Sequence, residues 1–248
     1  EFLGLVIATD DMTIINDLSV AFEERKRSAL VAMLGIETAT QGRPVHSAAV
    51  TVNELAVPSK ARKALEKAFY AVRKHNLQEA RSKVRDVLAI WPRYSDALML
   101  SALLSLHANE LDAALEAAKE AVRGDVTNGM AYIILALVHN SRGEYDDALG
   151  LLEPALRFRP DAWEGYFERA SAEIAKREFS AALSDVTRAG ELAPPNAARI
   201  HFVKGVALIN LNRRAEGTSE LQEYLRRTPI GATAEKAHLM LEQAHRSK

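Results

Sequence analysis

The chain contains no cysteine. That excludes disulfides, thiolate metal sites and cysteine nucleophiles from its 248 residues, and it fits any redox compartment. There is no surplus of either charge. The formal net charge is −1 and the sequence pI is near 6.8, so bulk attraction to nucleic acid is not indicated. No apolar run approaches the length needed to cross a membrane. The catalytic signatures are missing as well. There is no Gly-rich phosphate loop, no Gly-x-Ser-x-Gly elbow and no His-Glu-x-x-His pattern. The seven histidines, among them His75, His107, His139, His201, His238 and His245, show no metal-ligand spacing and read as surface or groove residues. No cofactor, metal or catalytic residue is expected.

What the chain does have is a period. Ala80, Ala114, Ala148 and Ala182 lie 34 residues apart. Ala68, Ala102, Ala136 and Ala170 keep the same beat twelve residues earlier, and Pro92, Val126, Pro160 and Pro194 keep it twelve residues later. Leu77, Leu111, Tyr145 and Phe179 each stand three before an anchor alanine. A fixed period of this length means one supersecondary unit stacked repeatedly, because no unit buries its apolar face alone.

Within each unit the apolar spacing is helical. In the third, Tyr132, Leu135, Ala136, Val138 and His139 form a stripe, Gly143 breaks it, and Asp146, Leu149, Leu152 and Leu156 resume before Pro160 stops it. The unit is therefore helix, short turn, helix. The paired alanines let the two helices approach closely; a leucine there would overpack by roughly 1–3 kcal/mol. Five units follow, at 61–94, 95–128, 129–162, 163–196 and 198–230. Pro194-Pro195 inserts one residue before the fifth, in which Gly205 and Gly217 replace the two alanines. Residues 232–246 read as a capping helix, with Ala234, Ala237, Leu241 and Ala244 inward and Glu235, Lys236, Glu242 and Arg246 outward. The expected helices are 61–74, 78–90, 95–108, 112–123, 129–142, 146–158, 163–176, 180–192, 198–211 and 215–227. Pro154, with Gly150 four residues before it, should bend its helix rather than end it.

These columns resemble the tetratricopeptide repeat. Gly143-Glu144-Tyr145-Asp146-Asp147-Ala148-Leu149 and Arg159-Pro160-Asp161 are close to the family pattern. The resemblance covers 61–248 and is specific for fold but not for function. It implies an all-α, right-handed helical-hairpin solenoid with a capping helix, serving as a non-catalytic scaffold that binds a protein or peptide. The family lines its concave face with the second, fifth, ninth, twelfth and thirteenth residues of each repeat. Carried over, the lining includes Leu65, Phe69, Met99, Leu103, Leu106, Ile133, Leu137, Asn140 and Phe167, with Arg73, His107, Asn140, Glu164 and Asn210 as polar points. Phe69, Met99, Leu103, Ile133 and Leu137 should then be more exposed than Leu135 and Leu152. Apolar residues stand where some relatives carry a Lys/Asn/Arg clamp for a terminal carboxylate, so an acidic tail is not the expected ligand.

Glu168, Arg169 and Glu173 share one helix. The two glutamates read as solvated helix charges. Arg169 falls in the column of Leu135, and the family often pairs an Arg there with an Asp on the next helix. A charge in such a column needs a partner to offset desolvation, and Asp185 is the expected one.

Residues 1–57 do not keep the period. Short apolar runs at 2–8, 18–22 and 29–34, separated by charged stretches, read as β-strands, with a helix over 13–34 as the rival reading. The organisation expected is a segment at 1–40, a linker at 41–57 and repeats from 58 to 248. The stretch from Val50 to Pro58 and Lys60-Ala61-Arg62 resembles the junction in exported bacterial repeat proteins that carry an upstream β-sandwich similar to carboxypeptidase regulatory domains. That resemblance implies a remnant of such a sandwich at 1–40 and an extracytoplasmic location. Two occupants of the apolar groove follow: a partner segment, or the chain's own residues 1–57.

Overall fold

A computed structural model of the protein describes residues 56–246. The strand and helix readings of 1–40, and the linker up to residue 55, lie outside the described residues. From Ser59 onward the chain forms eleven helices and, among the described residues, no strand. They are α1 (Ser59–Arg73), α2 (Leu77–Ile90), α3 (Ser95–His107), α4 (Leu111–Gly124), α5 (Gly129–Arg142), α6 (Tyr145–Phe158), α7 (Trp163–Ala175), α8 (Phe179–Leu192), α9 (Arg199–Asn210), α10 (Arg214–Arg227) and α11 (Ala232–Arg246). Every boundary lies within two residues of the expected one.

Each hairpin turns in the same way. His75, Asn109, Gly143, Arg177 and Asn212 all take positive φ, between 56° and 77°. They mark one column, repeated with the period of the chain. The N–H groups of Asn76, Glu110, Glu144, Glu178 and Arg213 reach back to the carbonyls of Ala71, Ser105, His139, Glu173 and Leu208 at 2.8–2.9 Å. This Schellman closure satisfies helix-end carbonyls that would otherwise be orphaned. Only Gly143 takes the left-handed conformation without a Cβ penalty.

The alanine columns sit at the helix crossings. Ala68, Ala102, Ala136 and Ala170 on the first helices, and Ala80, Ala114, Ala148 and Ala182 on the second, are all fully buried. In the fifth hairpin even a methyl group is too large. A Cβ on Gly217 would stand 2.9 Å from the backbone nitrogen of Ile209, and one on Gly205 3.0 Å from the carbonyl oxygen of Gly217. Hairpins then stack through neighbouring pairs, α2 on α3, α4 on α5, α6 on α7 and α8 on α9, while α5 also meets α3 and α7. The capping helix α11 packs on α10 and buries Ala234 and Ala237. Lys236, expected to face water, is half-buried.

The helix α6 continues through Pro154. Proline has no N–H, so the carbonyl of Gly150 loses its helical partner, yet the helix does not end there. Gly150 itself is exposed, and a Cβ there would meet nothing within 4 Å. Gly150→Ala should therefore stabilise the protein by about 0.5–1 kcal/mol, the backbone-entropy gain of alanine in an open helix interior. A thermal melt should show an increase of roughly 1–4 °C for a chain of this size.

Candidate functional site

The columns that the family assigns to its concave face lie on the first helix of each hairpin, and they behave differently from expectation. Phe69 and Met99 are 0 % exposed and Leu103 and Ile133 are 3 % exposed, against 6 % for Leu135. Only Leu137, at 8 %, exceeds that residue. Leu65, Leu106 and Phe167 are buried too. The expected contrast between lining and core is absent. Part of the reason is in the sequence of the first helices themselves. In α5 every residue from Ile133 to Val138 is buried, and in α3 burial runs from Leu98 to Leu106 with one break at Ser101. At 100° per residue such runs sweep the whole circumference of a helix. Gly165 on α7 also admits the Ile133 side chain, whose Cδ1 would stand 3.2 Å from a Cβ there. The polar points differ among themselves: Arg73 and Asn210 are exposed, whereas His107, Asn140 and Glu164 are half-buried.

Buried polar side chains concentrate in the fourth hairpin. Glu168, Ser171, Glu173 and Asp185 are all enclosed, with Glu168 only 1 % exposed. The reading of Glu168 and Glu173 as solvated charges is therefore corrected. The signal was present in the columns. In the two preceding units the Glu168 column holds Ile134 and Leu100, both buried, and the Glu173 column holds half-buried His139 and buried Ser105. Asn140 likewise occupies the column of Val72, Leu106 and Ile174. For Glu168 and Asn140 the buried apolar residues of the adjacent units were a stronger indication of burial than helical spacing was of exposure.

Two polar groups result. In the first, Asn140 Nδ2 donates to Glu168 Oε2 and to the Glu168 carbonyl, both at 3.0 Å. This leaves Asn140 Oδ1 and Glu168 Oε1 buried without a hydrogen-bond partner. An unmet buried acceptor costs about 1–3 kcal/mol. Burial drives the Glu168 carboxyl above its ordinary range, against the pull of the Arg199 charge and the Asn140 hydrogen bond. Arg199 itself lies over the Phe167 ring, 4.6 Å from its centre.

In the second group Arg169 grips Asp185 in a two-point fork. Its Nη2 donates to Oδ1 at 2.7 Å and its Nε donates to Oδ2. The pair crosses the hairpin from α7 to α8, and Tyr166 faces the guanidinium at 5.5 Å. The fifth hairpin uses the same two columns: Lys204 Nζ lies 2.6 Å from Glu220 Oε1, and His201 adds a bond to the other oxygen. In the third hairpin these columns hold Leu135 and Leu151 instead. Beside the Arg169–Asp185 pair, burial first and the Asp185 charge second push the Glu173 carboxyl up to about 7, with Arg169 pulling the other way. Glu173 Oε2 has no hydrogen-bond partner.

Among the described residues one further grouping forms, which spacing did not reveal. His139, Glu144 and Asp147 bring ligand-type atoms within 4.8 Å of one another at the third turn. Arg142 Nε already donates to Glu144 at 2.9 Å, and His139 Nδ1 lies 2.7 Å from its other oxygen. A guanidinium charge inside the group opposes a metal cation, and the cluster braces the turn.

A family profile described as tetratricopeptide repeat matches residues 60–127 and 134–194, more than half of the chain. The protein belongs to the tetratricopeptide repeat family. No curated protein sequence matches it. Solved structures share the fold at low identity. A thermophilic repeat protein of Thermus thermophilus, TTC0263, is 17 % identical with a TM-score of 0.60, covering 74 % of this chain and 98 % of its own. PilW, a widely conserved type IV pilus biogenesis factor, is 14 % identical with a TM-score of 0.63, over 75 % and 89 %. YrrB, a repeat protein with an unusual peptide-binding site, is 18 % identical with a TM-score of 0.51, over 77 % and 99 %. No helix among the described residues is long and apolar enough to cross a membrane.

Proposed function

We propose that the chain is a non-catalytic scaffold whose concave face holds an apolar protein segment. One observation carries this reading. The columns that the family uses for its concave lining hold Leu65 and Phe69, Met99, Leu103 and Leu106, Ile133 and Leu137, and Phe167 on four successive first helices. Each first helix packs on its own hairpin partner, and an apolar series continued through four hairpins suits the apolar side chains of a further segment. The peptide-binding site named for YrrB, a protein of the same fold, is consistent with this role. An extended or helical segment with spaced apolar side chains suits the groove. Arg73, His107, Asn140 and the lining residues would contact it.

A second reading draws on the burial of that lining. The chain's own residues 1–57, with Ile14, Ile15, Leu18, Phe22, Leu30 and Leu34, would fill the groove and make the repeats a structural module. The junction sequence from Val50 to Arg62 supports an exported protein with a β-domain upstream; a regulatory module of an enzyme encoded outside this chain is a separate alternative.

A photo-crosslinking residue placed at exposed Arg73 and at half-buried His107 tests both readings in the full chain. Adducts to apolar segments of another protein support the partner site. Adducts within 1–57 support self-occupation. Irradiation that yields neither removes the groove from consideration.

A further inference from the structure

The net charge of −1 hides an uneven distribution. Residues 59–93, which make the first hairpin, hold ten Lys and Arg against three Asp and Glu, whereas residues 94–128 of the second hold two against six. Much of the excess stands on α1. Its buried side carries Ala61, Leu65, Ala68, Phe69 and Val72. On the other side Lys60, Lys63, Lys67, Tyr70 and Lys74 follow one another at steps of three and four residues, and all are exposed. At 3.6 residues per turn these steps draw a single row about 21 Å long. Lys60, Arg62, Lys63 and Lys67 enter no hydrogen bond or ion pair among the described residues. On later helices Arg81, Arg142, Lys176 and Lys204 each meet a carboxylate at 2.6–3.0 Å. Like charges at these spacings repel, so α1 gains no stability from its row.

We propose that the exposed side of α1 adsorbs the protein to an anionic lipid surface, with Lys60, Lys63, Lys67 and Lys74 lying among the headgroups. This function does not depend on what the groove holds. Charge complementarity carries it, since a cluster of basic side chains on one side of an amphipathic helix matches a plane of anionic headgroups. Two observations favour a lipid plane over a nucleic acid. The row is mostly lysine, a hydrated point charge on a flexible stem that meets mobile headgroups without needing the fixed fork of arginine. The basic surface also ends with the first hairpin, so a long polyanion laid along the repeats would run onto the acidic second one. Tyr70 interrupts the row at 57 % exposure, with Lys74 Nζ 5.7 Å from its ring centre. A tyrosine among lysines belongs at the level of the headgroups.

The test sediments the full chain with vesicles of phosphatidylcholine alone and of phosphatidylcholine with about one third phosphatidylglycerol. Capture should require the anionic lipid and should be lost at roughly 0.5 M salt, where charges a few ångströms apart are already screened. Lys60→Ala with Lys63→Ala and Lys67→Ala should lower the partition coefficient roughly 100-fold, from the contribution of three cations near the surface. All three sites are exposed and alanine favours a helix, so the variant should keep its fold, as circular dichroism would show. Arg123→Ala with Arg157→Ala and Arg226→Ala removes the same charge from exposed sites on other hairpins and should stay within about two-fold of the native chain. A loss of equal size in the two triple variants overturns the assignment to α1. Equal capture by the neutral vesicles overturns the electrostatic basis. No capture by the anionic vesicles overturns the lipid surface, and binding to a short DNA duplex or a polyglutamate peptide in that case reassigns the row to that polyanion.

Discussion

Glu173→Gln should raise the melting temperature at pH 8 and leave it nearly unchanged at pH 4.5. In the folded chain the Glu173 carboxyl keeps its proton up to about 7, whereas the ordinary value is 4.5. Between those two values the folded state binds more protons than the unfolded one, so stability falls as pH rises. Below 4.5 both states are protonated and the group contributes no difference. Above 7 both are ionised, and the full cost of holding a carboxylate beside Asp185 with one oxygen unmet is present. Glutamine stays neutral throughout. Allowing for an imperfectly satisfied amide, the gain at pH 8 is about 2 kcal/mol. That corresponds to roughly 4–8 °C for a chain of this size. Other titrating groups are common to both proteins, so the difference between their pH profiles isolates Glu173. A gain of equal size at both pH values would place the titration elsewhere.

The second large effect is expected from Asp185→Ala. It leaves Arg169 without its forked partner in the hairpin. Breaking a buried pair from one side costs about 3–5 kcal/mol. The Arg169 side chain is 30 % exposed and can recover some hydration, so a loss of about 2–3 kcal/mol is the expected figure. Glu173 makes that loss pH-dependent. Near pH 8 its carboxylate can take over part of the Arg169 charge, while near pH 5 it is protonated and cannot. The destabilisation should therefore be larger at pH 5 than at pH 8. The third hairpin indicates the rescue. Its corresponding columns hold Leu135 and Leu151, so Arg169→Leu with Asp185→Leu should return to within about 1 kcal/mol of the native chain. Denaturant unfolding of the single and double variants measures both quantities. If the double variant is no better than Asp185→Ala, the columns are not interchangeable.

The helices were legible because their determinants are local. Period, turn residues and terminal prolines placed each boundary within two residues, and the alanine columns located the crossings. The Arg169–Asp185 pair could be anticipated for a related reason: a charge in an apolar column restricts where its partner can stand. Glu168 and Glu173 were misread by the opposite habit. Neighbouring charges on one helix suggest a solvated face, yet their columns belong to the interior. Asn140 could be placed on the lining, but its bond to Glu168 joins two hairpins and has no expression in spacing along either helix.

The amino-acid sequence alone determined the repeat unit, its number and its turns, because hydrophobic periodicity and backbone preference act over a few residues. It also determined that the columns matching the family's concave lining are mostly apolar. Tertiary structure decided which polar side chains are enclosed, which acceptors are left unmet and how strongly the Glu173 carboxyl is shifted. Those properties depend on desolvation by residues from other hairpins, and desolvation is set by packing rather than by position in the chain.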